Sequence, residues 1–151
     1  SDSIIDPGGG AWGCLANATS GADGTAIGTG AQNTADILAD SCNAAISETA
    51  AAIANSATFG GYNDWFLPSF DEFVEMMYTI GHPNQWGGGD LLNLNTGQWD
   101  SGYWTSTEAN NNAAKAISVW LQGQIPPSQG LAHFNKDMTS PSTNVRAIRS
   151  F

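Results

Sequence analysis

The stretch from Gly60 to Glu75, GGYNDWFLPSFDEFVE, constrains the fold more than any other part of the chain. Ser69 and Glu72 stand three residues apart, directly before a segment with helical hydrophobic spacing, and this is the pattern of a capping box. The Ser69 hydroxyl would accept from the backbone N–H of Glu72, and the Glu72 carboxylate would accept from the N–H of Ser69. The pattern predicts a helix that ends at Gly81 and buries one face, formed by Phe70, Phe73, Val74, Met77 and Ile80.

Length and charge limit both the architecture and the partners of the chain. The 151 residues suit a single domain over 1–151, in which 1–11 form a linker or an incomplete first strand. The net charge is −10, and all four Lys and Arg residues lie after position 114. Because nucleic acid is bound through clustered Lys and Arg, this charge argues against it, and against anionic membranes. The acidic residues either keep the protein soluble or hold a cation.

Cys14 and Cys42 are 28 positions apart and do not have the spacing of a zinc site. In an exported chain they would form one disulfide, whereas in a reducing compartment they would stay buried thiols. Only 12% of the residues are charged, and this profile is common in secreted bacterial proteins. We favour the disulfide.

The hydrophobic pattern predicts helices in the first half of the chain and strands in the last part. A helix is expected from about Asn33, with Asn33 or Thr34 as its cap and Asp36 in its first turn. A break at Ser47-Glu48 would precede a second helix. Helices followed by a small sheet define the α+β class, and antiparallel strands are expected at 116–121, 131–134 and 145–151.

Residues 82–112 are rich in Gly, Asn, Asp and Trp. Long ordered connections tend to be functional, and indole rings stack on sugars and on apolar ligand faces. Asp90 and Asp100 also offer the oxygen ligands that suit calcium. The alternatives are a solvated polar loop and tryptophans that cover the core. The candidate ligand-binding residues are Trp86, Asn93, Asn95, Trp99, Asp100 and Asn110.

Asp64 and Arg146 are predicted to have structural roles. Asp64 would bond backbone N–H groups in the turn before the capped helix, in preference to binding calcium. A salt bridge from Asp71 or Glu72 to Arg146 would add rigidity. The two histidines, His82 and His133, belong to no catalytic motif, so no enzymatic activity is predicted.

Five pieces of the sequence occur in the order found in a known bacterial domain family. Together with Cys42 they resemble the C-type-lectin-like family named for the C-terminal domain of the Legionella collagen-like adhesin. That family shares its fold with formylglycine-generating enzymes and with the variable proteins of diversity-generating retroelements. The pieces are WGC (12–14), IGTGAQNTADI (27–37), GYNDWFLPSFDE (61–72), YWTSTE (103–108) and NVRAIR (144–149).

The resemblance implies two main helices on a small twisted antiparallel sheet, a long ligand-binding loop region, and a secreted or cell-surface location. Such domains usually open with a strand that pairs with the last strand, and the only candidate before Trp12 is Ser3-Ile4-Ile5. That strand would be short, absent or supplied by another chain. Formylglycine-generating enzymes use a cysteine pair in their C-terminal half, which this chain lacks, so their activity is not implied.

Two functional hypotheses follow from these observations. The first is a non-enzymatic, adhesin-like binding module that recognises a glycan or a protein through residues 82–112, with calcium as a candidate cofactor. The second is a structural subunit, or the exposed head, of a pilus-like surface fibre that assembles with itself or pairs strands with another chain. Neither hypothesis involves nucleic acid or insertion into a membrane.

Overall fold

The computed structural model describes residues 10–46, 48–80, 102–118, 131–139 and 143–150. Within these ranges, no helix has the length and apolar character needed to cross a membrane. The combination of helices with one sheet confirms the predicted α+β class. The helices are α1 (Gly30–Ala39), α2 (Ser41–Ala44), α3 (Ala50–Asn55) and α4 (Phe70–Ile80), with a 3-10 helix at Phe59–Gly61; the strands are β1 (Gly102–Glu108), β2 (Ala113–Ser118), β3 (Leu131–Asn135) and β4 (Thr143–Asn144).

Helix α4 begins at the capping box and covers the predicted range. The Ser69 N–H donates to Glu72 Oε2 at 2.7 Å, and the Glu72 N–H donates to Ser69 Oγ at 3.3 Å. Of the residues predicted to form its buried face, Phe73 and Met77 are buried, whereas Phe70 and Val74 are half-buried. The ring of Phe73 lies 5.9 Å from that of Tyr103, so α4 packs against the first residues of β1.

The carboxylate of Glu72 also joins the start of α4 to the start of α1. Its Oε1 accepts from the Gly28 N–H at 2.9 Å. A Cβ on Gly30 would lie 2.2 Å from Glu72 Oε2 and 2.8 Å from the Ser69 nitrogen. Gly28 has a φ of +94°, a conformation that glycine adopts without steric cost. The two glycines therefore allow the two helix starts to approach each other closely.

Helix α1 begins at Gly30, three residues before the predicted start. Neither Asn33 nor Thr34 caps it, so that prediction was wrong, and Asp36 lies beyond the first turn. Asn33 is buried, and its Nδ2 donates to the Gly24 carbonyl at 2.6 Å. Thr34 Oγ1 accepts from the Leu67 N–H at 3.0 Å. Side chains that can cap a helix can also bond buried backbone groups of other segments, and tertiary packing selects the second use here.

The helical region is interrupted twice. The break expected at residues 47–48 separates α2 from α3, and Thr49 caps α3 by accepting from the Ala52 N–H at 3.1 Å. A further break occurs at Asp40, which caps α2 by accepting from the Cys42 N–H at 2.9 Å. Three short helices therefore replace the one predicted before the break and the one predicted after it.

Cys14 and Cys42 form a disulfide, which confirms the predicted pairing. Their Cα atoms are 6.0 Å apart, and the bond joins the N-terminal segment to α2. The Cys14 N–H also donates to Asn43 Oδ1 at 2.8 Å. Closing a loop of this length contributes about 3 kcal/mol to stability on the chain-entropy estimate.

The sheet has the strand order β3-β2-β1-β4. The pair β2–β3 is antiparallel, as predicted. Strand β1 was not predicted, because it lies within residues 82–112, which were expected to form a connection. It pairs antiparallel with β2 but parallel with β4, so the prediction of an entirely antiparallel sheet was wrong.

The prediction of a strand at 145–151 was also wrong. Within 145–150, backbone pairing is limited to Ile148, which exchanges bonds of 2.8 and 2.9 Å with Phe66. Val145, Arg146 and Ala147 are all buried, so the burial does not alternate as in a half-buried strand.

Three tryptophans, Trp12, Trp65 and Trp104, lie in the core with their indole N–H groups satisfied. Trp12 donates to the Thr105 carbonyl at 2.8 Å, and Trp104 donates to the Gly10 carbonyl at 3.0 Å. Both bonds join the N-terminal segment to β1. Each indole therefore combines a large apolar contact with a specific polar one.

We predict that Glu72→Ala lowers the free energy of unfolding by about 3 kcal/mol, because it leaves the N–H groups of Gly28 and Ser69 without their acceptor. The measurement is urea denaturation followed by far-UV circular dichroism. Asp71→Ala is the matched control, since Asp71 is exposed on the same helical turn. Equal losses in the two variants would contradict the role assigned to Glu72.

Candidate binding end of the sheet

The strand register brings four strand ends together at one end of the sheet. Gly102 of β1 pairs with Ser118 of β2 and with Thr143 of β4. At the same end, Ile117 of β2 pairs with Leu131 of β3. We name this end, formed by Gly102, Ser118, Leu131 and Thr143, the junction end. The segments 81–101, 119–130 and 140–142 all join the sheet there.

Most of the candidate ligand residues belong to the segment that leads into Gly102. They lie outside the described residues, so glycan, protein and calcium binding through them stay predictions. Among the residues that the structure does describe, no group of three or more His, Cys, Asp or Glu side chains could hold a metal ion. These candidates are Trp86, Asp90, Asn93, Asn95, Trp99 and Asp100.

Asn110 is the one candidate ligand residue that the structure describes, and it lies at the other end of β1. It is exposed in the turn between β1 and β2. Its Oδ1 accepts from the N–H groups of Asn112 and Ala113, at 2.9 and 3.0 Å. An Asn side chain that bonds the backbone two or three residues later stabilises a turn. The structure therefore does not bring Asn110 to the junction end.

A buried stack of side chains lies beside the first residues of β1. Arg146 is only 4% exposed, and its guanidinium carbon is 5.4 Å from the centre of the Tyr103 ring. Tyr103 is fully buried, and the centre of its ring lies 5.9 Å from the centre of the Phe73 ring in α4. A guanidinium over an aromatic face is attracted by the ring quadrupole. We name Phe73, Tyr103 and Arg146 the junction stack.

The salt bridge expected between Arg146 and α4 does not form. Asp71 is exposed, and both carboxylate oxygens of Glu72 accept from backbone N–H groups. Within the described ranges, the ion pairs join Glu108 to Lys136 and Asp64 to Arg149. The prediction failed because the capping bonds already use the Glu72 carboxylate.

The opposite end of the sheet is fastened to the N-terminal segment through a buried lysine. Lys136 directly follows β3 and is fully buried, and its Nζ contacts Glu108 Oε1. The same Nζ donates to the Asn17 carbonyl at 2.6 Å and lies 4.9 Å from the Trp12 ring. Glu108 Oε1 also accepts from the Thr19 N–H at 2.9 Å. We name this end the fastened end.

Backbone bonds reinforce the fastened end. The Gly13 N–H donates to the Lys136 carbonyl at 3.1 Å, and the Glu108 N–H donates to the Ala22 carbonyl at 2.6 Å. The N-terminal segment is therefore bonded to the residues that end β1 and follow β3. The sequence analysis did not identify Lys136 as a structural residue, although Lys136 is one of only four Lys and Arg residues in this chain.

Asp64 has a structural partner at the surface. Its two oxygens accept from Nε and Nη2 of Arg149, at 2.9 and 3.0 Å. The Arg149 guanidinium also stacks on the Tyr62 ring at 3.7 Å. The hydrogen bond from Arg149 holds the pKa of the Asp64 carboxyl below its usual value, and the same bond raises the pKa of Arg149. Asp64 thus joins the segment before α4 to the C-terminal segment.

Comparison of the chain with protein-family models, with curated proteins and with solved structures found no match. Three of the five sequence pieces coincide with regular elements or pairings of the fold. YWTSTE lies within β1, GYNDWFLPSFDE leads into α4, and NVRAIR begins in β4 and reaches the Phe66–Ile148 bridge.

We predict that Lys136→Met lowers the free energy of unfolding by about 3 to 5 kcal/mol, because it leaves the Glu108 carboxylate without its buried partner. Lys136→Met combined with Glu108→Gln should recover part of that loss. Chemical denaturation of both variants measures the effect, and Arg149→Gln serves as the control at an exposed ion pair. A double variant less stable than Lys136→Met would contradict this account.

The lowered pKa of Asp64 also predicts a pH dependence. A carboxyl whose pKa is lower in the folded state stabilises the fold above its unfolded pKa, and this contribution disappears as pH falls through the folded value. The contribution is small because the pair is exposed. A carbon-detected NMR titration should show the Asp64 pKa below its usual value, and Arg149→Gln should return it to that value. An unchanged pKa in Arg149→Gln would assign the shift to another group.

Proposed function

We propose that this chain is an extracellular, adhesin-like binding module with a C-type-lectin-like fold, which recognises a glycan or a protein through the part of residues 82–112 that precedes the buried strand β1. The observation that carries the proposal is the difference between the two ends of the sheet. Disulfide-linked and ion-paired segments hold the fastened end, whereas three connecting segments join the sheet at the junction end. Binding residues are commonly found on connections that a rigid scaffold positions.

The composition of the connection before Gly102 supports contact with a sugar. Trp86 and Trp99 provide aromatic faces, and Asn93, Asn95 and Asp100 provide hydrogen-bonding groups that match sugar hydroxyls. A few polar groups that orient a ligand against an aromatic surface are typical of small-molecule sites. A surface of this composition would also suit a protein partner, because Trp is enriched where binding energy concentrates.

The state of the cysteines supports an extracellular role based on contact. The chain has two cysteines, and they are bonded to each other, so neither provides a thiol nucleophile. A disulfide between distant segments persists in oxidising compartments, outside the cytosol. We therefore propose a secreted or cell-surface protein that binds its partner without transforming it.

A glycan array of neutral oligosaccharides tests the proposal directly. We expect the intact chain to bind a subset of the array, and Trp86→Ala or Trp99→Ala to weaken that binding at least about tenfold through the loss of stacking. Asn111→Ala is the control, because Asn111 is exposed in the turn at the far end of β1. Equal binding by all four proteins would exclude these tryptophans as the contact surface.

Two further measurements test calcium binding and the alternative of a pilus-like subunit. A rise in melting temperature with calcium, abolished by a chelator, would support calcium binding at Asp90 and Asp100, and an unchanged value would remove it. Filaments or stable oligomers that disappear when residues 145–151 are altered would favour the pilus-like subunit. The array should then be silent.

A further inference from the structure

The described surface carries an exposed aromatic side chain that is stacked on an ion pair. Tyr62 is 50% exposed, and the guanidinium carbon of Arg149 lies 3.7 Å from the centre of its ring. Nε and Nη2 of Arg149 donate to the two oxygens of Asp64. The arrangement places an aromatic ring and a carboxylate on either side of one planar cation. We name Tyr62, Asp64 and Arg149 the surface cluster.

Two separate contacts hold the surface cluster on the body of the protein. Ile148 exchanges two backbone bonds with Phe66, and this pairing places Arg149 beside the segment that leads into α4. The indole of the buried Trp65 donates to the Tyr62 carbonyl at 3.2 Å. Because the cluster is fixed before a ligand arrives, binding there would lose little conformational entropy.

The members of the surface cluster differ in how far they face water. The Arg149 side chain is only 18% exposed, whereas the Asp64 side chain is 50% exposed. A ligand would therefore meet the Tyr62 ring and the Asp64 carboxylate before it met the guanidinium. A carboxylate can accept about four hydrogen bonds, so pairing with Arg149 leaves capacity for hydroxyl donors. The hydrogen bond from Arg149 also lowers the pKa of Asp64, which keeps the carboxylate ionised as an acceptor.

We propose that the surface cluster is a carbohydrate subsite, at which one ring of a neutral oligosaccharide stacks on Tyr62 and donates hydroxyl hydrogen bonds to Asp64. Arg149 is a positioning residue, because it contacts the aromatic ring and the carboxylate together and holds them side by side. The inference rests on the proposed function for the class of ligand, and it takes none of its contacts from residues 82–112.

The chemistry of the cluster favours a neutral sugar over other ligands. A sugar ring offers a C–H face that packs on an aromatic ring and hydroxyl groups that donate to a carboxylate. An anionic glycan would be repelled by Asp64 and by the net charge of −10. A protein partner would need apolar surroundings that exclude water from the tyrosine. The neighbouring Gly60, Gly61 and Asn63 are exposed and offer little apolar area.

The first test is the array of neutral oligosaccharides, followed by titration with the strongest binder. Tyr62→Ala should weaken binding at least about tenfold, whereas Tyr62→Phe keeps the ring and should stay within about twofold of the intact chain. Leu15→Ala is the matched control, because Leu15 is 46% exposed on the N-terminal segment and should leave the affinity unchanged. Equal affinities of Tyr62→Ala and the intact chain would overturn the subsite.

The second test separates contact from positioning. Asp64→Ala should weaken binding at least about fivefold through the loss of its acceptor, and Arg149→Lys should also weaken it, because lysine lacks the planar fork that joins ring and carboxylate. In NMR spectra, saturating oligosaccharide should shift the Asp64 carboxyl carbon and the Tyr62 ring signals of the intact chain. Arg149→Lys should retain both shifts at higher ligand concentration. Signals of Asp64 and Tyr62 that the sugar leaves unchanged would overturn the subsite.

The tryptophan variants distinguish this inference from the proposed function. If Trp86→Ala and Trp99→Ala abolish binding while Tyr62→Ala does not change it, the subsite is wrong and the proposed function stands. If only Tyr62→Ala and Asp64→Ala weaken binding, the subsite stands and the proposed contact surface is wrong. A silent array would overturn the subsite, because a neutral oligosaccharide is the ligand it assigns, and would leave protein binding through residues 82–112 as the proposed function.

Discussion

The described fold depends on one carboxylate placed at the starts of two helices. Glu72 accepts backbone N–H groups from Ser69 at the start of α4 and from Gly28 just before α1. Helix N-termini carry partial positive charge from unpaired N–H groups, so an anion shared by two of them is stabilised twice. The absence of a side chain on Gly30 permits this arrangement, because any Cβ would overlap the carboxylate. The start of α1 therefore lies beside the start of α4 because both meet at this single carboxylate.

The same principle extends to the polar residues buried along β1. Thr107 Oγ1 donates to the Gly24 carbonyl at 2.8 Å and accepts from the Phe70 N–H at 3.0 Å, and Asn33 reaches Ser106 Oγ at 3.2 Å. Buried polar groups that are hydrogen-bonded specify one arrangement of the segments they join. In this protein they bind the irregular segment before α1 to the sheet. Hydrogen bonds therefore position a segment that has little regular secondary structure of its own.

The sequence predicted the features that short-range patterns determine. The capping box and the apolar spacing of α4 involve residues within two or three turns, so both could be read directly. The parallel pairing of β4 with β1 could not be predicted in this way. The alternation in NVRAIR indicates an extended segment, but it does not identify the strand with which that segment pairs. Asn33 and Lys136 could not be placed either, since their partners Ser106 and Glu108 are distant in the sequence. The disulfide could be predicted because the chain has two cysteines and therefore only one possible pairing. The candidate ligand residues other than Asn110 lie outside the described ranges, and for them the sequence provides composition alone.

The stabilising contacts of the fold lie away from the segment that is proposed to bind, and this bears on how far the sequence of that segment could change. Glu72 joins α4 to the segment before α1, Lys136 joins β1 to the N-terminal segment, and the disulfide joins that segment to α2. All three contacts are made by residues outside 81–101. Substitutions at distant, independent sites have additive effects on stability, so a scaffold held by such contacts suits a binding segment that varies. The junction stack is where this separation is incomplete, because Tyr103 belongs to the scaffold and also follows the segment proposed to bind.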